Sequence, residues 1–132
     1  MQIYYFSRTG RSKAIAEQLA SRYHTTARMI DDHMNWDGKV NYMKAGAMAL
    51  SGKTIPVDYI EPDIADTIIV VFPLWAGTMP PGVKKFVETI GKENIIAIIT
   101  SLGSTMKKRD GFKKIIDLVG DDISAPDIIE MD

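Results

Sequence analysis

The hydroxyl-rich stretch at residues 7–12 (SRTGRS) is the first part of this chain whose residue types could do chemistry. Ser7, Thr9 and Ser12 offer hydroxyl donors, and Gly10 lets the backbone close around a small anion. Where such a loop leads into a helix, unpaired N–H groups meet the positive end of the helix dipole, which suits a phosphate. A purely structural reading also stands, with Ser12 capping the helix and Gly10 turning the chain. The spacing is neither the G-x-x-x-x-G-K of a P-loop nor the G-x-G-x-x-G of a dinucleotide site. The second stretch is residues 73–81 (PLWAGTMPP). Trp75 follows a wholly apolar run, in a loop expected to be exposed, where a large ring calls for something flat to cover. Its alternative is to fold back onto the sheet edge. The third, residues 100–105 (TSLGST), has small side chains and a glycine whose backbone could meet the polar edge of a ring. Brought to one end of a sheet, the three would hold a flat aromatic ring with a phosphorylated tail.

The elements around these loops place them there. Residues 2–6 (QIYYF) read as a strand. Ala14, Ile15, Leu19 and Ala20 recur at helical spacing and predict an amphipathic helix over 12–23. Residues 27–30 read as a second strand, and 42–50 as a helix with Met43, Ala47 and Leu50 on one side and Gly52 as its stop. The run at 67–72 (TIIVVF) suits a strand buried on both faces of a parallel sheet. Pro80 and Pro81 fit the first turn of a helix whose buried side is Val83, Phe86, Val87 and Ile90, ended by Gly91. Residues 95–99 (IIAII) form the next strand. A lysine-rich helix is expected over 106–119, with Phe112, Ile115, Ile116 and Val119 inward, and a last strand over 123–131, interrupted by Pro126. The alternation predicts an open five-stranded parallel α/β sheet in one domain, with helices on both faces. Ligands bind such sheets at the carboxyl ends of the strands, where the three loops lie.

Composition removes other chemistries. The chain has no cysteine, hence no disulfide, thiolate zinc site, iron–sulfur cluster or cysteine nucleophile. His24 and His33 lack the spacing of a metal pair on one helix face. A net charge of -1 argues for neither nucleic acid nor an acidic membrane surface. The charge is uneven: residues 84–114 carry eight basic and three acidic residues, and residues 115–132 carry six acidic and no basic ones. This is either a solvated helix beside an acidic end or a patch for an acidic partner. No segment has the roughly 20 apolar residues of a membrane span, nor does the start resemble a signal peptide, so a cytoplasmic protein is expected.

The chain resembles the flavodoxins and flavodoxin-like proteins. SRTGRS is similar to their [ST]-x-T-G-x-[ST] phosphate loop, PLWAGTMPPGVKKF to their P-x-W loop and following helix, and EPDIADTIIVVFP to the stretch before it. The resemblance implies a sheet in the order 2-1-3-4-5, a non-covalent FMN, and electron transfer between redox partner proteins. It implies that Ser7, Thr9, Gly10 and Ser12, with the N–H groups of Arg8 and Arg11, hold the FMN phosphate. Trp75 would stack on the flavin, within the loop of Pro73, Leu74, Ala76 and Gly77; the Ala76–Gly77 peptide would lie near flavin N5. Thr100, Ser101, Leu102 and Gly103 would meet the pyrimidine edge. No residue is assigned a catalytic or metal-binding role. An FMN-dependent reductase of quinones or similar acceptors is the alternative, and a flavin-free α/β binding or regulatory module is the third reading. The chain departs from the family in four ways: a near-neutral charge, Arg8 and Arg11 in a phosphate loop that the family usually leaves uncharged, Ser104, Thr105 and Met106 where a second stacking aromatic is common, and no room for a helix after the last expected strand. That last departure would leave a sheet face uncovered; a homodimer is the expected remedy, with residues 32–57 wrapping round the sheet, or this chain being one part of a longer protein, as the alternatives.

Overall fold

The computed structural model describes residues 1–128. Its elements are β1 (Gln2–Tyr5), α1 (Arg11–Arg22), β2 (Ala27–Met29), α2 (Lys39–Ser51), β3 (Ile68–Pro73), α3 (Pro81–Ile90), β4 (Ile95–Ser101) and β5 (Lys114–Val119). The strands form one sheet in the order β2-β1-β3-β4-β5. Every pairing is parallel: Gln2 lies opposite Ile68, Ile68 opposite Ile95, and Ile96 opposite Lys114. This register brings the ends of β1, β3 and β4 level, so the loops that follow them share one edge.

The continuous apolar runs of β3 and β4 are explained by their central position: from Ile68 to Phe72 and from Ile95 to Ile99 every side chain is buried. One face of the sheet packs on α3 and α2. There Phe86 and Val83 of α3, and Ala45 and Ala49 of α2, meet Tyr4, Val70, Phe72 and Ala97. The other face packs on α1 through Ile15, Ala16, Leu19 and Ala20. α3 begins at Pro81, whose missing N–H costs nothing in a first turn, and stops at Gly91.

Two expectations are corrected. Residues 106–113 are irregular and 114–119 are β5, so the lysine-rich segment is not a helix. The apolar spacing of Phe112, Ile115, Ile116 and Val119 fits a helix face as well as a half-exposed edge strand, and β-branched Ile115 and Ile116 pair with β4. Residues 123–127 are not a strand either; residues 129–131 of that expected strand lie outside the described residues. Instead, Ala125 and Ile128 are buried beside α1 against Ile69, Val71, Ile96 and Ile98. Arg22 holds this strip by donating to the carbonyls of Ala125 (3.2 Å) and Pro126 (2.7 Å), and Gln18 accepts the Ala125 N–H (3.0 Å). The strip covers the face that a homodimer was expected to cover, so an uncovered sheet no longer argues for one. α2 buries Ala45 and Ala49, and the side that carries Met43, Ala47 and Leu50 faces outward.

Candidate functional site

A cleft of about 460 Å3 lies at the carboxyl ends of β1, β3 and β4. Its walls are Ser7, Arg8, Thr9, Arg11 and Ser12 from the first loop, Pro73, Leu74, Trp75, Ala76 and Gly77 from the second, and Thr100, Ser101, Leu102 and Gly103 from the third. The structure thus brings the three loops together. Of the expected residues only Gly10 is not on the wall; it precedes α1 in a left-handed conformation, φ 94°.

The first loop turns tightly, with the Gly10 N–H donating to Ser7 Oγ at 2.9 Å. α1 then starts with no side-chain cap, so Ser12 is not the cap that the structural reading assigned. Its hydroxyl is buried and shares a 2.9 Å hydrogen bond with Thr100 Oγ1. One of these two hydroxyls donates to the other, which leaves a second proton to offer elsewhere. An uncapped helix start with hydroxyls beside it accommodates a dianion. The two arginines do structural work. Arg11 donates to the carbonyls of Gly120 and Ser101, tying α1 to the ends of β5 and β4. Arg8 donates from Nε to the Trp36 carbonyl (3.0 Å), and its guanidinium lies 4.9 Å from the centre of the Tyr42 ring.

Trp75 is not exposed. It retains 8% of its accessible surface and packs edge-on against Phe6 (5.3 Å between ring centres) and Trp36 (5.0 Å). It still forms part of the cleft wall, with its position set by two neighbouring rings. Trp36 is anchored in turn, because its indole N–H donates to the buried Asp32 carboxylate at 2.7 Å. After Trp75 the chain reverses within two residues. Trp75 and Thr78 exchange backbone hydrogen bonds of 2.9 and 3.1 Å, and both central residues have positive φ, 51° at Ala76 and 78° at Gly77. That is the mirrored, type I′ arrangement. Glycine enters it freely, whereas alanine is held there at a cost of about 1 kcal/mol.

The third loop is locked as well. The Ser101 carbonyl accepts from the Gly120 N–H (2.8 Å), and Ser101 Oγ donates to the Ser104 carbonyl (2.7 Å). The Ser101 carbonyl is therefore occupied by protein donors. Two wall residues had no binding role in the sequence reading, Tyr42 and Ser104. Tyr42 is 62% exposed at the start of α2. The signal for it was an aromatic residue beside a polar stretch at the mouth of a predicted helix. A second, more apolar groove of about 420 Å3 runs between α2 and the 74–76 turn and shares Arg8, Tyr42, Leu74, Trp75 and Ala76 with the cleft.

No protein-family model matches the chain, and no curated protein matches its sequence. Among solved structures it is similar to a flavoprotein of Lactobacillus acidophilus NCFM crystallised in complex with FMN, at 19% identity and a TM-score of 0.68, covering 89% of this chain and 90% of that one. It is also similar to a candidate flavoprotein of Bacteroides uniformis ATCC 8492, at 21% identity and a TM-score of 0.72, covering 92% and 90%. With its parallel sheet in the order 2-1-3-4-5, this chain has the flavodoxin-like fold.

Proposed function

We propose that this protein binds FMN without a covalent bond and passes electrons between redox partner proteins. One observation carries the reading: a single cleft has an uncapped helix start at one end and a rigid, ring-walled slot at the other. A phosphorylated planar ring needs both. The fold shared with an FMN-bound flavoprotein supports the same reading.

In this reading the N–H groups at the start of α1 and the hydroxyls of Ser7, Thr9 and Ser12 hold the phosphate. Trp75, Ala76 and Gly77 form one wall of the ring slot, and 100–103 the other. The free backbone donors of that third loop, rather than the occupied Ser101 carbonyl, meet the polar edge of the ring. Bound FMN supplies reversible electron transfer, which the protein groups around it tune. The protein itself orients the ring and keeps one side of its slot stiff.

Flavin fluorescence during titration with FMN and with riboflavin tests the binding. FMN is expected to bind and riboflavin to bind at least about tenfold more weakly, since one charge-assisted hydrogen bond lost is worth about that much. Equal binding would move the phosphate off the α1 start, and no binding of either would leave the flavin-free reading. A carrier is further expected to show little direct oxidation of NAD(P)H by a quinone. Rapid turnover in that assay would make the protein a reductase.

A further inference from the structure

The turn at Ala76–Gly77 is flanked on one side by α2 and on the other by the irregular segment before β5. The Lys107 N–H donates to the Gly77 carbonyl at 3.2 Å, and a Cβ placed on Gly46 of α2 would lie 4.0 Å from that of Ala76. The walls of the cleft and of the groove beside it hold Arg8 and Arg11 and no acidic residue, Lys107 abuts the turn at Gly77, and Lys39 lies beside Tyr42 and Met43, whereas Lys13, Lys84 and Arg109 pair with Glu17, Glu88 and Asp117. The chain is nearly neutral overall, so this is segregation of charge rather than excess. Lys39, Lys44, Lys107 and Lys108 are exposed. Between them α2 presents apolar side chains to solvent, Met43 at 74% and Leu50 at 62% exposure, at the rim of the groove beside the turn.

We infer that the mouth of the cleft is a docking surface for an acidic redox protein. An apolar centre ringed by one sign of charge is the anatomy of a protein interface, in which the charges steer the encounter and the apolar contacts hold it. The complementary partner carries carboxylates around a small apolar knob that enters the groove between α2 and the turn. Nucleic acid would match the charge and gain nothing from Met43 or Leu50. A flat lipid surface would leave the groove unfilled. The nature of the partner, a redox protein, rests on the function proposed above; the sign of its charge rests on the surface alone.

The test uses two probes, a plant-type [2Fe–2S] ferredoxin, which is acidic, and a basic c-type cytochrome. Association is measured by calorimetry with and without added FMN, at about 20 mM and about 300 mM salt, on either side of the range where screening takes hold. The ferredoxin is expected to bind at low salt and at least about tenfold more weakly at high salt, and the cytochrome is expected not to bind. Lys107→Glu with Lys108→Glu should weaken ferredoxin binding by about tenfold or more, and Met43→Ser should weaken it several-fold at both salt concentrations. Binding of the cytochrome in place of the ferredoxin, or no effect of the charge reversal, overturns the inference. So does association with phosphatidylglycerol vesicles by a protein that ignores the ferredoxin. A chain that takes up no FMN yet binds the ferredoxin overturns the flavin reading alone. One that takes up FMN and binds no ferredoxin overturns the docking surface alone.

Discussion

The two faces of the sheet are covered by different means. On one, α2 and α3 lay large rings and aliphatic chains on the strands, with Phe86 wedged between Tyr4 (5.0 Å) and Tyr59 (4.6 Å). On the other, α1 covers only part, and an extended strip ending in Ala125 and Ile128 does the rest. A helix satisfies its own backbone; a strip cannot, and this one borrows donors and acceptors from α1. Arg22, Gln18 and Tyr23 supply them, Tyr23 both donating to Asp127 (2.9 Å) and accepting from the Ile128 N–H (2.8 Å). The difference teaches that a buried sheet face needs apolar cover with paired backbone groups, and that a helix is only one way to provide it.

The largest effect should come from the helix-covered face. Phe86→Ala removes a fully buried ring and is expected to cost about 3–5 kcal/mol in urea unfolding, with no change in oligomeric state. Removing residues 123–132 tests the strip. It should cost about 3 kcal/mol and, unlike Phe86→Ala, should make the protein self-associate, because Ile69, Val71, Ile96 and Ile98 lose their cover. Light scattering behind a sizing column reads this; a truncated monomer would show that α1 alone suffices. Ile128→Ala should be milder, about 2 kcal/mol, since a strip relaxes into the space more easily than a helix does.

Two smaller effects belong to the helix-covered side. Ala76→Gly should raise stability by up to about 1 kcal/mol, as relief of the positive φ outweighs the added freedom of the unfolded chain. A loss of stability would show that the Ala76 methyl packs to more effect than its backbone strains. The smallest effect concerns the contact between Asp31 and Asp58, where the chain leading to α2 meets the chain leading to β3. His33 lies there, 2.5 Å from Asp58 and 3.4 Å from Asp31. The hydrogen bond to Asp58 first, and the charge of Asp31 next, hold its imidazole above the ordinary 6.5. A raised folded pKa means that the contribution is complete below the unfolded value and fades as pH rises through the folded one. The Tm advantage of the protein over His33→Gln should therefore be full below the ordinary 6.5 and shrink as pH rises above it. A gap that widens with pH would reverse the assignment.

How legible the chain was follows the same contrast. β1, α1, β3, α3 and β4 could be read because their partners impose a strict period or a continuous apolar run, as in Ile68–Pro73 and Ile95–Ser101. β5 could not, because an edge strand with partly exposed faces neither alternates nor runs apolar throughout, and its two isoleucines fit either period. The apolar character of 123–128 was visible, but the cover it provides is not regular structure and leaves no period. The three loops of the cleft could be read because glycine, hydroxyl and tryptophan residues are informative at strand ends. The burial of Trp75 could be read only as one of two alternatives, since it depends on Trp36, thirty-nine positions earlier in a stretch that reads as polar.

The strip that closes the second face also imposes an order on synthesis. It follows β5 in the chain, so every strand and helix it covers is made before it. A growing chain that has completed β4 already has Ile69, Val71, Ile96 and Ile98 in hand and nothing to lay over part of them. Exposed apolar strands at that stage are the usual route to association of nascent chains. The interval between the completion of β4 and the emergence of residues 123–128 is therefore the one in which these side chains lack part of their cover.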